Sequence, residues 1–170
     1  MKETAQQYIS RILAFSEDKD PITVLGTTAD RLTTLVNATP IERWDRRPAP
    51  DVWTPRQVLA HLSDVEIVTG WRMRSILATD GVPLQPFDQS DWGSAFKYNA
   101  ADIHESLATF SAVRAGLLSL LTRVDGVRLE HHGMHGERGR ETITHLLKLC
   151  AGHDLNHLGQ IETRLKDTAL

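Results

Sequence analysis

With a single cysteine, Cys150, the chain can form no intramolecular disulfide, and its stability has to come from packing. Basic residues are not in excess either: 19 Lys and Arg stand against 22 Asp and Glu, a formal charge of -3, with no basic run and no basic stripe interleaved with aromatics. That balance gives phosphates no general attraction, so nucleic acid is not an expected partner. Long apolar runs are missing too, and nothing approaches the roughly 20 residues that span a bilayer, so no membrane partner is expected. The opening MKETAQQYIS is polar and acidic where a secretory signal is apolar, which makes the cytoplasm the expected location.

What is present suffices for one compact domain, 1–170: hydrophobic residues make up 41% of the chain. A short amphipathic start carries Tyr8, Ile9, Ile12, Leu13 and Phe15. Asp20-Pro21 then reads as the N-cap and first residue of a helix to about residue 37, with Ile22, Leu25, Ala29, Leu32 and Val36 on one stripe. TPIERWDRRPAPDVW has three prolines and is a loop. Thr54-Pro55 repeats the start signal, and Gln57 completes a capping box for a helix over 55–78. A long loop over 80–98 follows. Asn99 is the expected cap of a third helix carrying Ile103, Leu107, Phe110, Leu117 and Leu121 and ending near residue 123. VRLEHHGMHGERGRE reads as a small ribbon or an irregular loop, and a fourth helix spans 142–166. Four long helices without a strand-rich stretch predict an all-α four-helix bundle with long connecting loops.

Chemistry concentrates on two of these helices. His153 and His157 are one turn apart, so their rings lie within about 40° of each other around the axis, a spacing that suits two ligands of one metal ion. His61 shares the stripe Val58, His61, Val65, Val68 and Arg72 of the second helix. Three imidazoles with an open fourth position describe a catalytic rather than a structural metal site, and one ion would satisfy three buried rings at once. Imidazole suits zinc, nickel, copper and iron(II), with zinc as the default. Cys150, one turn before His153, reads as a small buried residue.

Around this trio, Asp64 lies within about 60° of His61 and is the candidate proton acceptor, whereas Glu66 points to roughly the opposite side. Gln160 follows His157 by three residues and is a candidate hydrogen-bond donor or acceptor for a ligand or substrate. Asp91 and Trp92, with Asp88, are candidates to cover the mouth of the site from the long loop. Arg72 and Arg74 are candidates to bind an anionic substrate group or to pair with loop carboxylates, with a structural ion pair as the expected role, and His131, His132 and His135 are expected as solvent-exposed loop residues rather than a second metal cluster.

WTPRQVLAHLSDVEIVTGWRMRSIL, FDQSDW, HGERG and AGHDLNHLGQIE, in that order along nearly the whole chain, together resemble the DinB/YfiT-like superfamily of metal-dependent hydrolases, in its YfiT-like branch. The resemblance implies a four-helix bundle, a divalent ion (zinc or nickel) held by residues that match His61, His153 and His157, and a homodimer. It leaves the chemistry open between three readings. One is a hydrolase that activates water against a small-molecule substrate, another a transferase of detoxification or stress response that uses a low-molecular-weight thiol, and the third a non-catalytic metal-binding dimer. Three neutral imidazoles leave the ion its double positive charge, which acidifies water and stabilises a thiolate alike.

Overall fold

A computed structural model describes residues 3–166. Its helices start where side chains satisfy the orphan amides of a first turn. Helix α1 (Ala5–Ala14) is closed by a capping box between Thr4 and Gln7, and α2 (Pro21–Ala38) by Asp20, which accepts from the Thr23 amide at 2.8 Å. A one-turn α3 (Ile41–Trp44) sits in the proline-rich loop and buries Trp44 completely. Helix α4 (Pro55–Ala78) has the expected Thr54/Gln57 box. The long loop is more ordered than its composition predicts, forming strand β1 (Val82–Leu84) and helix α5 (Gln89–Ala95), which Asp88 caps.

The cap of α6 (Ile103–Leu121) is Asp102 and not Asn99. Its carboxylate accepts from the amides of His104 and Glu105, while Asn99 lies in a preceding 3-10 turn. Of the two readings for the histidine-rich segment, the ribbon holds: β2 (His132–His135) pairs antiparallel with β3 (Gly139–Thr142), and β1 adds parallel to β2. Helix α7 (Ile143–Lys166) follows without a break. The bundle is α2, α4, α6 and α7, as expected from the four long stripes.

A layer of charge divides its interior. One apolar cluster gathers around Trp44, Leu62, Phe110 and Leu158, the other around Leu25, Met73, Leu117 and Ile143. Between them Arg114 of α6 donates to Glu66 of α4 at 2.9 and 2.7 Å, to Asp154 of α7 at 2.7 Å and to the Leu25 carbonyl of α2 at 3.0 Å. One guanidinium thus ties all four helices together. Burial alone would weaken its charge, but Asp154 and Glu66 reverse that and hold its proton more tightly than usual.

His135 is buried rather than exposed as expected, because β2 turns its ring inward. Its Nδ1 accepts from the amides of Glu137 and Arg138 at 3.2 and 3.3 Å, which places the proton on Nε2. Burial first, and then the Arg138 charge, lower its pKa to about 4. Above about pH 6.5 the ring is neutral in both folded and unfolded chains. As pH falls toward 4 only the unfolded chain takes up the proton, so stability drops, by an amount of order 3 kcal/mol. Urea unfolding at pH 7, 5.5 and 4.5 should show this loss in the wild type and a shallower loss in His135→Gln; equal pH dependence in both proteins would contradict it. His131 and His132 are half-buried: the first meets the Ile76 carbonyl at 3.2 Å and the second Asp80 at 2.8 Å.

Candidate metal centre

His61 comes from the second turn of α4, and His153 and His157 from the middle of α7, which runs beside it. One nitrogen from each ring falls within 4.8 Å of the other two. His61 Nε2 and His153 Nε2 are 3.2 Å apart, and all three ring centroids lie 4.3 to 5.2 Å from one another. Two nitrogens on a tetrahedral zinc are separated by about 3.3 Å, given bonds of about 2.0–2.1 Å, so His61 and His153 already stand at that spacing, with a His157 nitrogen within 4.8 Å of both.

Protonation and orientation favour the same use. His61 and His153 are 1% and 7% exposed, and burial pushes their pKa values down, to about 3 for His61. Burial likewise brings His157 to about 4, so all three rings are neutral and keep a lone pair for an ion. The Gln160 carbonyl oxygen accepts from His157 Nδ1 at 3.1 Å, which leaves Nε2 bare toward the other rings. Gln160 therefore holds a histidine of this centre. The Nδ1 of His61 is buried and has no partner among the described residues. Trp53 and Tyr98 wall this side, with the Trp53 ring 5.2 Å from His61 and 5.9 Å from Tyr98.

The profile of the DinB superfamily matches residues 25–161, which includes every residue of this centre. The chain belongs to the DinB superfamily. Among curated relatives, OB0782 of Oceanobacillus iheyensis is 28% identical over 114 residues, covering 67% of this chain and 66% of that protein. YfiT of Bacillus subtilis is 25% identical over 158 residues, covering 91% of this chain and 88% of YfiT. Both carry the name "putative metal-dependent hydrolase". The solved structure of YfiT, described as an unusual four-helix bundle, superposes with a TM-score of 0.76 at 20% identity over 96% of this chain and 90% of that one. That likeness establishes the DinB fold.

A cavity of about 730 Å³ opens on His61 and His153. Helix α4 forms one wall with Leu62, Val65, Glu66, Thr69 and Arg72; α7 forms another with Leu146, Leu149 and Cys150. Tyr8 and Phe87 close it from α1 and the long loop. The cavity places the other sequence candidates differently from expectation. Asp64 is absent from its lining and accepts instead from the Tyr98 hydroxyl at 2.6 Å. Glu66, expected on the far side of α4, is 3% exposed and lines the cavity, because α4 packs between α6 and α7 and its buried arc spans both. Burial raises the pKa of Glu66 while Arg114 pulls it back. Asp91 is exposed on α5, and Trp92 stacks between Phe87 and Phe96 at 4.7 and 5.2 Å; neither lines the cavity, whereas Asp88 does. Cys150 also lines it, and burial raises its thiol to about 12, so it is an inert wall group.

Arg114, Tyr98 and Trp53 were missed by the sequence reading. For Arg114 the signal was available. It falls at the seven-residue spacing of the α6 stripe, between Phe110 and Leu117, where a lone arginine demands buried carboxylates.

Proposed function

We propose that this chain is a metal-dependent hydrolase of small molecules, its divalent ion, zinc or nickel, held by His61, His153 and His157. The observation that carries this reading is the convergence of three neutral imidazoles, two of which, His61 and His153, line a cavity large enough for a drug-sized molecule. When bound, the ion supplies Lewis acidity at this wall. The chain's own groups supply the rest. Gln160 fixes the His157 ring, and Trp53 and Tyr98 exclude water behind His61. Of the two carboxylates weighed from the sequence, Glu66 is the proton acceptor in this scheme, since it shares the cavity and each of its oxygens keeps a lone pair beyond the one Arg114 takes. Asp64 orients Tyr98. The exposed Ile67 and Trp71, one turn apart on α4, are the proposed contact of a homodimer, which sedimentation of Trp71→Glu would test by loss of the dimer.

The alternative, transfer of a thiol to an electrophile, uses the same three ligands, and one experiment separates them. Zinc- or nickel-loaded protein is assayed against activated esters, amides and electrophiles, with and without a low-molecular-weight thiol. A hydrolase turns over without thiol, loses turnover on chelation and in His157→Ala, and recovers on adding the ion. Turnover that requires thiol would replace this reading with the transferase, and turnover that survives both chelation and His157→Ala would end it.

A further inference from the structure

Along α4 the cavity wall runs from His61 through Val65 and Thr69 to Arg72. The two ends are eleven residues apart, about 16 Å of rise and about 20° of turn, so they share one face. Both side chains tilt toward the N-terminus, but the arginine is the longer, so its guanidinium leans further back along the groove and the gap is on the order of 10 Å. Between the ends the wall is mixed, with apolar Val65, Leu146 and Leu149 beside Thr69 and the Glu66–Arg114–Asp154 network.

Two guanidinium groups, of Arg72 and Arg138, line the far end. Arg138 lies in the same wall, but Glu141, 1% exposed, neutralises it through contacts of 2.6 and 3.0 Å. Arg72 is 6% exposed. It donates to the Gln85 carbonyl, and its guanidinium lies 5.8 Å from the centre of the Phe87 ring. No carboxylate among the described residues pairs with it. The acids nearest in the lining are otherwise engaged or in solvent: Glu3 pairs with Arg11, Asp88 caps α5, and Glu137 is exposed. Glu141 is thus taken by Arg138, and the Arg72 fork has no paired carboxylate among the described residues. A buried cation without a counter-charge is costly, and a planar fork with free donors facing a cavity is the group that binds carboxylate or phosphate.

We propose that Arg72 anchors an anionic group, carboxylate or phosphate, at one end of an elongated substrate whose other end lies at His61 and His153. The position of the reacting end rests on the proposed metal centre; the anion site does not. Of the two roles the sequence offered for Arg72, a structural ion pair or an anionic substrate group, the first has no partner among the described residues, and the substrate supplies it.

The test is calorimetry on zinc-loaded protein with the monohydroxamate of octanedioic acid, which carries a metal-binding group at one end and a carboxylate at the other. Its methyl ester and the analogue ending in phosphonate are measured beside it. The wild type should bind the acid at least about tenfold more tightly than the ester, as expected for a charged hydrogen bond. Arg72→Gln should remove that preference, and Arg72→Lys should retain part of it. A tighter phosphonate identifies phosphate as the native group, a tighter carboxylate the acid. Equal binding of acid and ester by the wild type overturns the proposal and requires no variant. Equal weakening of both by Arg72→Gln also overturns it, since that is a structural role. Failure of the wild type to bind any of the hydroxamates would count against the metal centre instead. Titration of wild type and Arg72→Gln with inorganic phosphate and free octanedioate then decides the anion site alone: saturable binding lost in the variant supports it, and no difference removes it.

Discussion

Arg114→Met should destabilise the fold by about 3–5 kcal/mol, more than any change to an exposed ion pair. Arg114, Glu66 and Asp154 have side chains only 3 to 4% exposed, so removing the cation strands two carboxylates in the interior at the boundary between the two apolar clusters. Their only outlet is the cavity wall, which leaves most of each carboxylate desolvated. The large cost is that of unpaired charge rather than the net value of the ion network. Replacing all three members by Met, Leu and Leu should therefore recover most of the loss. Urea unfolding of the single and triple variants measures both. A single variant within about 1 kcal/mol of wild type would show that the network is solvated and does not hold the four helices.

Gly152→Ala should separate α1 from the bundle. A Cβ at Gly152 would sit 2.1 Å from the Ile12 carbonyl oxygen and 2.9 Å from its carbon, both backbone atoms that no rotamer change can move. Helix α1 has to retreat as a unit, which exposes Ile12, now 1% exposed, and withdraws Tyr8 from the cavity. The expected cost is roughly 2–3 kcal/mol or the local release of α1, whichever is smaller. Hydrogen exchange distinguishes these outcomes. Amides of residues 5–14 should lose protection while α4 and α7 keep theirs, and unchanged protection in α1 would contradict the close approach. Because Gly152 precedes His153, the same variant shows whether α1 is needed for the metal centre or only for the cavity.

The helices were legible because their starts are chemical rather than statistical. Asp20-Pro21 and Thr54-Pro55 each pair an accepting side chain with a residue that lacks the orphan donor, and the structure begins α2 and α4 there. His61, His153 and His157 were legible for a similar reason, since stripe position plus one-turn spacing restricts where the rings point. Glu66 was misread because a stripe assumes one buried face, and α4 has two neighbours. The contact of Asp64 was not legible because its partner, Tyr98, arrives from 34 residues away through a turn that periodicity does not encode. The same holds for β1, whose pairing with β2 joins segments about fifty residues apart, Val82 opposite Gly133. Arg72 stands between these cases. Its inward position was visible in the α4 stripe, but that no carboxylate among the described residues pairs with it could be seen only once the cavity wall was assembled.

The central claim is that His61, His153 and His157 hold one divalent ion. Elemental analysis of protein purified without an affinity tag, wild type beside His61→Ala and His153→Ala, tests it most directly. About one zinc or nickel per chain in the wild type, lost in both variants while they remain folded, is the result this account predicts. No ion in the wild type, even after reconstitution, or full occupancy retained in either variant, would contradict it.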